Sequence, residues 1–358
     1  MTTVATIVQL DQFDEIIDVR TLPEFREDHI PGAVNFPVLT EQEREHVGTI
    51  YKQVSSFEAK KIGAVLIARN IARHIEDYFS TKPKNWRPLI YCWRGGKRSG
   101  AMAHILSEIG WKVARLDGGY KAYRRRVIDD LATLPQAFQF QVVCGPTGSG
   151  KSRFLQALAA AGGQVLDLEQ LAAHRGSVLG NLPDAPQPAQ KMFDSQIWHQ
   201  LRHFDPAKPV YVEAESKKVG QLRVPDALIE RMWQQGHCVA LEVASAQRVQ
   251  LLKEEYAHFI ADPQSLLEKV ACLKALHSKE RLAHWNTLAH AGQWDEFVLD
   301  MLESHYDPAY HRSTLKHYPQ LDQATVLHPT DISPAGFAGL AHKFLSPSEK
   351  QVFRTTMS

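Results

Sequence analysis

Long apolar runs are missing from this chain of 358 residues. Runs such as Gly63–Ala68 stop far short of the roughly 20 residues that a membrane-spanning helix needs. The first 15 residues contain no lysine or arginine and no extended apolar core, which are the parts that define a secretory signal. We therefore expect a soluble, cytoplasmic protein with no membrane partner.

Cysteine is scarce as well. The four cysteines show no C-x-x-C or other paired spacing: Cys92, Cys144, Cys238 and Cys272. Disulfide-rich secreted domains and zinc ribbons are built on such pairs. The pattern argues against both classes and predicts reduced thiols.

An excess of charge of either sign is also absent, since 41 Lys and Arg face 40 Asp and Glu. The balance hides a basic band, because residues 82–126 hold 12 Lys and Arg and only 2 acidic residues. Within it, Gly119–Arg126 interleaves tyrosines with cations, a composition that suits RNA phosphates and unstacked bases. The RNA-binding candidates are Lys121, Arg124, Arg125 and Arg126.

Length and pattern predict two α/β domains, at 1–134 and 135–358. Short apolar runs that read as buried strands alternate with helical stretches, which favours parallel sheets covered by helices. The clearest strand candidates are Glu15–Val19, Pro88–Cys92, Phe138–Cys144, Val210–Val212 and Cys238–Val243. The pattern turns helical between Ser245 and Tyr310, and the tail from Tyr318 has no clear pattern.

Cys92 is the first candidate for chemistry, because it ends a predicted strand just before a glycine-rich loop and a helix starting at Ser99. Backbone N–H groups of such a loop, together with a helix N-terminus, favour a thiolate. This layout suits a cysteine that accepts sulfur, selenium or phosphorus from an anionic donor. A buried, inert cysteine is the competing interpretation. Supporting roles are predicted for Arg94, Gly95, Gly96 and Arg98.

Gly145–Ser152 is the second candidate site, and it fits the phosphate-loop pattern G-x-x-x-x-G-K-[ST] between a predicted strand and helix. Its glycines, Gly145, Gly148 and Gly150, expose N–H groups to phosphate oxygens, and Lys151 adds a point charge. Ser152 could hold Mg²⁺, although no complete set of metal ligands is evident. Two carboxylates at the ends of predicted strands, Glu213 and Glu169, could form an acidic element that supports a metal ion at this loop. Glu213 is the better candidate.

The segment from Asp18 to Pro37 resembles the N-terminal signature of rhodanese (sulfurtransferase) domains, with D-x-R followed by E-F and H-I-x-G-A-x-N-x-P. The resemblance implies that Cys92 carries a persulfide or perselenide and that Asp18 and Arg20 brace its loop. Two features depart from the family: Asp28 replaces a usual glycine, and the interval from Cys92 to Arg98 is one residue longer. That longer interval resembles dual-specificity phosphatases of the same fold, so loop length leaves a phosphatase open.

A rhodanese-like α/β domain followed by a P-loop NTPase-like α/β domain with a helical C-terminal part resembles the bacterial tRNA 2-selenouridine synthase family. The resemblance rests on five segments: Tyr91–Ser99, Asp117–Arg125, Gly145–Ser152, Asp167–Glu169 with His174–Gly176, and Val212–Gly220. It implies that wobble 2-thiouridine in tRNA becomes 2-selenouridine, with selenophosphate as selenium donor. It also implies an S-geranyl intermediate made from geranyl diphosphate, with no tightly bound cofactor.

Other functions remain open on the sequence. The main alternative is a rhodanese-type persulfide carrier with ATP-dependent activation in tRNA thiolation. A phosphatase–NTPase regulator and a non-catalytic RNA-binding module are two more. We expect a monomer.

Overall fold

A computed structural model describes residues 3–94, 96–177, 179–182 and 185–346, apart from the side chains of residues 313 and 315. Across these ranges, no helix combines the length and the apolar character needed to cross a membrane. The chain divides into two compact units. Unit 1 comprises residues up to 131 together with 188–199, and unit 2 comprises residues 132–187 and those from 200 onward.

Unit 1 contains a parallel sheet of five strands in the order β1-β5-β4-β2-β3. Its strands are β1 Thr3–Ala5, β2 Glu15–Asp18, β3 Val34–Asn35, β4 Pro88–Tyr91 and β5 Ala114–Leu116. Every residue of β4 is buried, as expected for a central strand of a parallel sheet covered on both faces. Cys92 follows the carboxyl end of β4 directly.

The helices of unit 1 are α1 Leu22–Glu27, α2 Glu41–Gln53, α3 Ser56–Asp77, α4 Lys97–Ile109 and α5 Gly119–Leu131. Ser55 begins the long α3, where its hydroxyl accepts hydrogen bonds from the N–H groups of Phe57 and Glu58. Apolar side chains of α3 and α4 pack on the sheet around Ile90 and Met102. This core fixes the position at which β4 delivers Cys92.

Unit 2 contains a second parallel sheet of five strands, in the order β12-β11-β6-β8-β7, and a two-stranded antiparallel pair, β10-β9. The strands are β6 Phe140–Cys144, β7 Gln164–Leu166, β8 Val210–Glu213, β9 Lys218–Val219, β10 Leu222–Arg223, β11 His237–Leu241 and β12 Thr325–Leu327. β6 lies at the centre of the five, and the phosphate loop follows it.

Helices cover this sheet and then continue as a helical region. Those of unit 2 are α6 Lys151–Ala160, α7 Leu168–Leu171, α9 Asp226–Gln235, α10 Ser245–Glu255, α11 Ala257–Ala261, α12 Pro263–Val270, α13 Lys279–His290, α14 Trp294–Met301, α15 Asp307–His317 and α16 Pro334–Leu345. The remaining helix, α8 Gln190–His203, begins in the 188–199 segment of unit 1 and ends in unit 2. One π-helical turn, Leu302–Tyr306, joins α14 to α15. The helical stretch predicted between Ser245 and Tyr310 is therefore present.

Two details differ from the sequence-based expectations. The helix after Cys92 starts at Lys97 with Gly96 as its N-cap, two residues before the predicted start at Ser99. The tail that had no clear pattern forms β12, which pairs with β11 at the sheet edge, and α16, which packs on α6. A three-residue edge strand carries too few alternations to be recognised from sequence alone.

The helix α16 also supports the phosphate loop. Phe337 is 1% exposed and packs among Phe154, Leu155 and Leu251. A Cβ atom at Gly150 would lie 2.4 Å from Cζ of Phe337, so the ring lies directly against the loop. The tail thus helps to set the loop geometry.

We predict that Phe337→Ala lowers the free energy of unfolding by about 3–5 kcal/mol, because it removes a buried ring and leaves a cavity. Chemical denaturation of the full chain measures the change. The control is Phe57→Ala, since Phe57 is 65% exposed and its loss leaves no cavity. Equal effects of the two substitutions would show that α16 does not stabilise the loop in this way.

Candidate functional site

The Cys92 thiol is buried, with 4% of the residue exposed. The Ser99 hydroxyl donates a hydrogen bond to its Sγ at 3.3 Å. Burial by itself raises the pKa of Cys92. Hydrogen bonds from the Ser99 hydroxyl and from the N–H groups of Ser99 and Arg94 lower the pKa, as does the charge of Arg98, and together they outweigh burial. The pKa of Cys92 therefore lies below its ordinary value, which favours a reactive thiolate over an inert thiol.

The loop after Cys92 leads straight into the N-terminus of α4. Gly96 is exposed and caps the helix without a side-chain hydrogen bond, and Arg94 and Lys97 are exposed beside it. Gly95, predicted to support this loop, lies outside the described residues. Helix N-termini carry unpaired N–H groups and partial positive charge, so this loop can receive an anion.

Arg98 is held by a carboxylate of α1. Its Nη1 and Nη2 donate to Oε2 and Oε1 of Glu24 at 2.9 and 3.4 Å. Burial raises the pKa of Glu24, but the hydrogen bonds and charge of Arg98 bring it below its ordinary value. Arg98 is therefore fixed by two hydrogen bonds and supplies positive potential near the thiol.

Asp18 and Arg20 form an ion pair with 2.6 Å between Arg20 Nη2 and Asp18 Oδ2. Both side chains are buried, with exposures of 1% for Arg20 and 0% for Asp18. Arg20 Nη2 also donates to the carbonyl of Asp28 at 2.6 Å, and the guanidinium lies 3.9 Å from the Tyr120 ring centroid. The backbone N–H of Tyr120 in turn donates to the carbonyl of Cys92 at 2.8 Å. The pair thus reaches Cys92 through Tyr120.

Asp28, which departs from the rhodanese pattern, has its own buried partners. Tyr120 and Ser195 donate hydroxyl hydrogen bonds to its two carboxylate oxygens at 2.8 and 2.7 Å. Burial raises the pKa of Asp28, against the opposing effect of these hydrogen bonds. Ser195 belongs to the 188–199 segment of unit 1, so Asp28 binds a segment that the sequence pattern did not connect with it.

The predicted RNA-binding residues of α5 are not equivalent. Arg124 is engaged, because its Nη2 lies 2.5 Å from Asp194 Oδ2 and its Nη1 donates to the carbonyl of Lys191 at 3.0 Å. Arg126 pairs with Asp130 at 2.7 Å. Lys121 and Arg125 are exposed, and Arg125 lies 3.7 Å from Asp129. Lys121 and Arg125 are therefore better placed than Arg124 for phosphate contacts.

The phosphate loop of unit 2 depends on glycine at three positions. Gly145, Gly148 and Gly150 have φ angles of 158°, 79° and 80°. A Cβ atom at Gly148 would lie 2.9 Å from Cγ of Leu252, and one at Gly145 would lie 2.4 Å from Oγ of Ser149. Glycine is required here by both conformation and close packing.

Lys151 and Ser152 start α6 and reach different partners. Lys151 Nζ donates to the carbonyl of Gly145 at 2.7 Å, so the ammonium group lies against the loop. The Ser152 hydroxyl donates to Oε2 of Glu169 at 3.2 Å. The Glu169 backbone N–H donates to Oε1 of Glu213 at 2.5 Å. Glu169 thus contacts the loop directly, whereas Glu213, preferred from the sequence, contacts Glu169.

These carboxyl groups lie in a crowded acidic cluster of Asp167, Glu169, Glu213 and Glu215. Burial raises the pKa of Glu213 well above its ordinary value, and its acidic neighbours raise it further. Burial also raises the pKa of Glu169 and Glu215. Among the atoms described, Oε2 of Glu213 has no hydrogen-bond partner. No group of three or more His, Cys, Asp or Glu arranged to hold a metal is found within the described ranges.

The phosphate loop and part of this cluster line a cavity of about 760 Å³. His174, Arg175 and Gly176 form another part of its wall. Gly176 is needed there, because a Cβ would lie 2.5 Å from Oε1 of Glu169. The cavity is large enough for a phosphorylated organic ligand.

Family models match both parts of the chain. One described as the tRNA 2-selenouridine synthase AAA domain matches residues 138–284, and one described as a rhodanese-like domain matches residues 4–126. The first includes the phosphate loop, and the second includes Cys92. The predicted order of a rhodanese-like domain followed by a P-loop-like domain is therefore confirmed.

Curated relatives align with most of the chain. A tRNA 2-selenouridine synthase from Nitrosomonas europaea is 34% identical over 67% of this chain and 63% of its own length. A protein of the same name from Hydrogenovibrio crunogenus is 35% identical over 70% of this chain and 72% of its own length. Another from Shewanella denitrificans is 36% identical over 73% of this chain and 70% of its own length.

The hydrogen bond from Ser99 gives a testable prediction. Ser99→Ala should raise the pKa of Cys92 and lower the thiolate fraction at neutral pH by roughly tenfold, because a hydrogen bond to a charged group contributes about 1.4 kcal/mol or more. Alkylation of Cys92, followed by peptide mass spectrometry across pH, should then shift to higher pH. A Cys272→Ser background removes the exposed thiol.

Ser107→Ala is the matched control, because Ser107 lies near the other end of α4. It should leave the alkylation profile of Cys92 where it is. An unchanged profile in Ser99→Ala would show that the hydroxyl does not stabilise the thiolate.

Proposed function

The chain belongs to the tRNA 2-selenouridine synthase family, and we propose that it converts wobble 2-thiouridine in tRNA to 2-selenouridine. The observation that carries this proposal is a chain with two loops that each lead into a helix N-terminus, one after a thiol with a lowered pKa and the other a phosphate loop. Relatives that align with about two thirds of this chain are named for this product. We propose that it acts as a monomer without a tightly bound cofactor.

The phosphate loop would serve a geranylation step. The 2-sulfur of the uridine attacks C1 of geranyl diphosphate, the C1–O bond breaks, and diphosphate leaves. Lys151 and the N–H groups between Gly145 and Ser152 would bind that leaving diphosphate. Because Lys151 now donates to the Gly145 carbonyl, its ammonium would exchange this partner for phosphate oxygens.

The Cys92 loop would serve the selenium step. The selenium atom of selenophosphate attacks C2 of the uridine, the C2–S bond breaks, and geranylthiolate leaves. Water then cleaves the Se–P bond, which releases phosphate and leaves selenium on C2. Geranylation supports this exchange, because it converts a thiocarbonyl sulfur into a leaving group. The Cys92 thiolate would assist this transfer, and Arg98 and the α4 N-terminus would bind the phosphate of the donor.

The pair formed by Ser152 and Glu169 is compatible with Mg²⁺ binding at the diphosphate site. A hydroxyl and a carboxylate 3.2 Å apart could both bind Mg²⁺, which commonly takes a few protein oxygens together with substrate phosphates. When bound there, Mg²⁺ would neutralise charge on the diphosphate and on the acidic cluster.

Two substitutions test the division of work between the loops. With 2-thiouridine tRNA, Lys151→Ala should lower S-geranyl nucleoside formation by roughly 10²-fold or more, since a charged contact to the leaving group is lost. Cys92→Ala should leave geranylation intact and abolish 2-selenouridine. Nucleoside mass spectrometry after digestion distinguishes the products, and Cys272→Ala is the matched control for Cys92→Ala.

Equal loss of one and the same step in both variants would contradict this division. Sulfur incorporation coupled to ATP hydrolysis would instead support the persulfide-carrier alternative.

The exposed cations near Cys92 predict a salt-dependent affinity for tRNA. Each phosphate contact contributes about 0.7–0.9 to the slope of log K against log salt. The double variant Lys121→Ala/Arg125→Ala should therefore reduce that slope by roughly 1–2, as measured by filter binding at several salt concentrations. The control is Lys52→Ala/Lys60→Ala, because these exposed lysines lie on α2 and α3.

An unchanged slope in the first double variant would show that α5 does not bind the tRNA backbone. Arg124→Ala is expected to act differently, lowering protein stability because it breaks the ion pair with Asp194.

A further inference from the structure

A second, apolar pocket adjoins the phosphate cavity in unit 2. Four residues line both spaces: Thr147, Leu252, Tyr256 and Tyr306. Thr147 belongs to the phosphate loop itself, and Leu252 packs against Gly148 of that loop. The two spaces therefore meet at the loop, and one ligand could extend from the first into the second.

The wall of this apolar pocket is made almost wholly of hydrocarbon. Buried side chains from four helical segments contribute to it, including Phe259, Leu266, Phe297, Met301 and Leu302. Among its described lining residues, none is a carboxylate, an amide or a histidine. A nucleobase would need such hydrogen-bond partners for its ring nitrogens and exocyclic groups, because burying polar atoms without partners is costly.

Few polar side chains line the pocket, namely Thr147, Lys253, Tyr256, Trp294 and Tyr306. Lys253 pairs with Asp295 at 2.5 Å. Tyr256 and Tyr306 stay neutral, because burial raises the pKa of both phenols, that of Tyr306 above its ordinary range. Tyr306 ends the π-helical turn Leu302–Tyr306, a local irregularity of the kind that often occurs at ligand sites.

The size of the pocket favours a chain over a ring system. Its volume is about 60 Å³, whereas the phosphate cavity measures about 760 Å³. A single water needs roughly 10–15 Å³ on this scale, so the space equals that of about four to six waters. A narrow space of this kind suits a flexible hydrocarbon chain.

We propose that this apolar pocket binds the hydrocarbon chain of a prenyl diphosphate whose diphosphate lies on the phosphate loop. The inference rests on the proposed function, which calls for such a donor, and it assigns the residues that select it. Charge on the loop would recognise any diphosphate. The apolar pocket would distinguish a prenyl ester from a nucleoside diphosphate and a longer chain from a shorter one.

Binding of four probes to the full chain tests the proposal: geranyl diphosphate, dimethylallyl diphosphate, inorganic diphosphate and ADP. Each buried methylene strengthens binding roughly fourfold. Geranyl diphosphate should therefore bind at least about tenfold more tightly than each of the other three probes, as measured by calorimetry. Tighter binding of ADP than of geranyl diphosphate would overturn the proposal.

Two neighbouring residues of α14 give a matched pair of variants. Val298 is half-buried and lines the pocket, whereas Leu299 is 36% exposed and is not among the lining residues. Val298→Trp should fill the pocket and weaken the binding of geranyl diphosphate by at least about tenfold. Its affinity for inorganic diphosphate should equal that of the unsubstituted protein. Leu299→Trp should change neither affinity. Ile260→Trp repeats the test from α11.

The outcomes separate this inference from the proposed function. If Val298→Trp and Ile260→Trp bind geranyl diphosphate as tightly as the unsubstituted protein, the pocket assignment is wrong, whatever happens to the tRNA. If the unsubstituted protein prefers geranyl diphosphate, and Val298→Trp loses that preference, the pocket assignment stands. The absence of any modified nucleoside in the tRNA assay would then count against the proposed function alone.

Discussion

Unpaired backbone N–H groups at the start of a helix are the constraint on which both sites depend. A helix that follows a parallel strand begins with donors that have no partner in the helix, and an anion can satisfy them. In unit 1 these donors begin α4 and face the loop of Cys92. In unit 2 they begin α6 after Gly150, within the phosphate loop. Each unit places its loop at the carboxyl end of a buried strand, where the sheet supports it.

The two units balance buried charge in different ways. In unit 1 two arginines near the thiol are paired, Arg20 with Asp18 and Arg98 with Glu24. Breaking a buried pair of this kind is costly, because the remaining charge is left without its partner. In unit 2 the acidic cluster around Glu213 brings four carboxyl groups together, and burial raises the pKa of each of them. The first arrangement suits a fixed nucleophile, and the second suits a site completed by a charged ligand.

Local pattern was enough to predict the main strands, the Cys92 loop and the phosphate loop, because each of them is visible in a few consecutive residues. It was not enough for contacts between distant segments. Asp28 looked like a departure from a motif, but its partner Ser195 lies 167 residues away. Arg124 was predicted to bind RNA, but in the structure it forms an ion pair with Asp194. The apolar pocket could not be predicted from the sequence either, since its wall combines side chains from helices that show only ordinary amphipathic patterns.

We propose that geranylation on the phosphate loop precedes and enables selenium transfer at the Cys92 loop. Omitting geranyl diphosphate from a reaction of the unsubstituted protein with 2-thiouridine tRNA and selenophosphate tests it most directly, with nucleoside mass followed over time. We expect no 2-selenouridine until geranyl diphosphate is added, and then an S-geranyl nucleoside that appears first and declines as 2-selenouridine forms. Formation of 2-selenouridine at the same rate without geranyl diphosphate would contradict it.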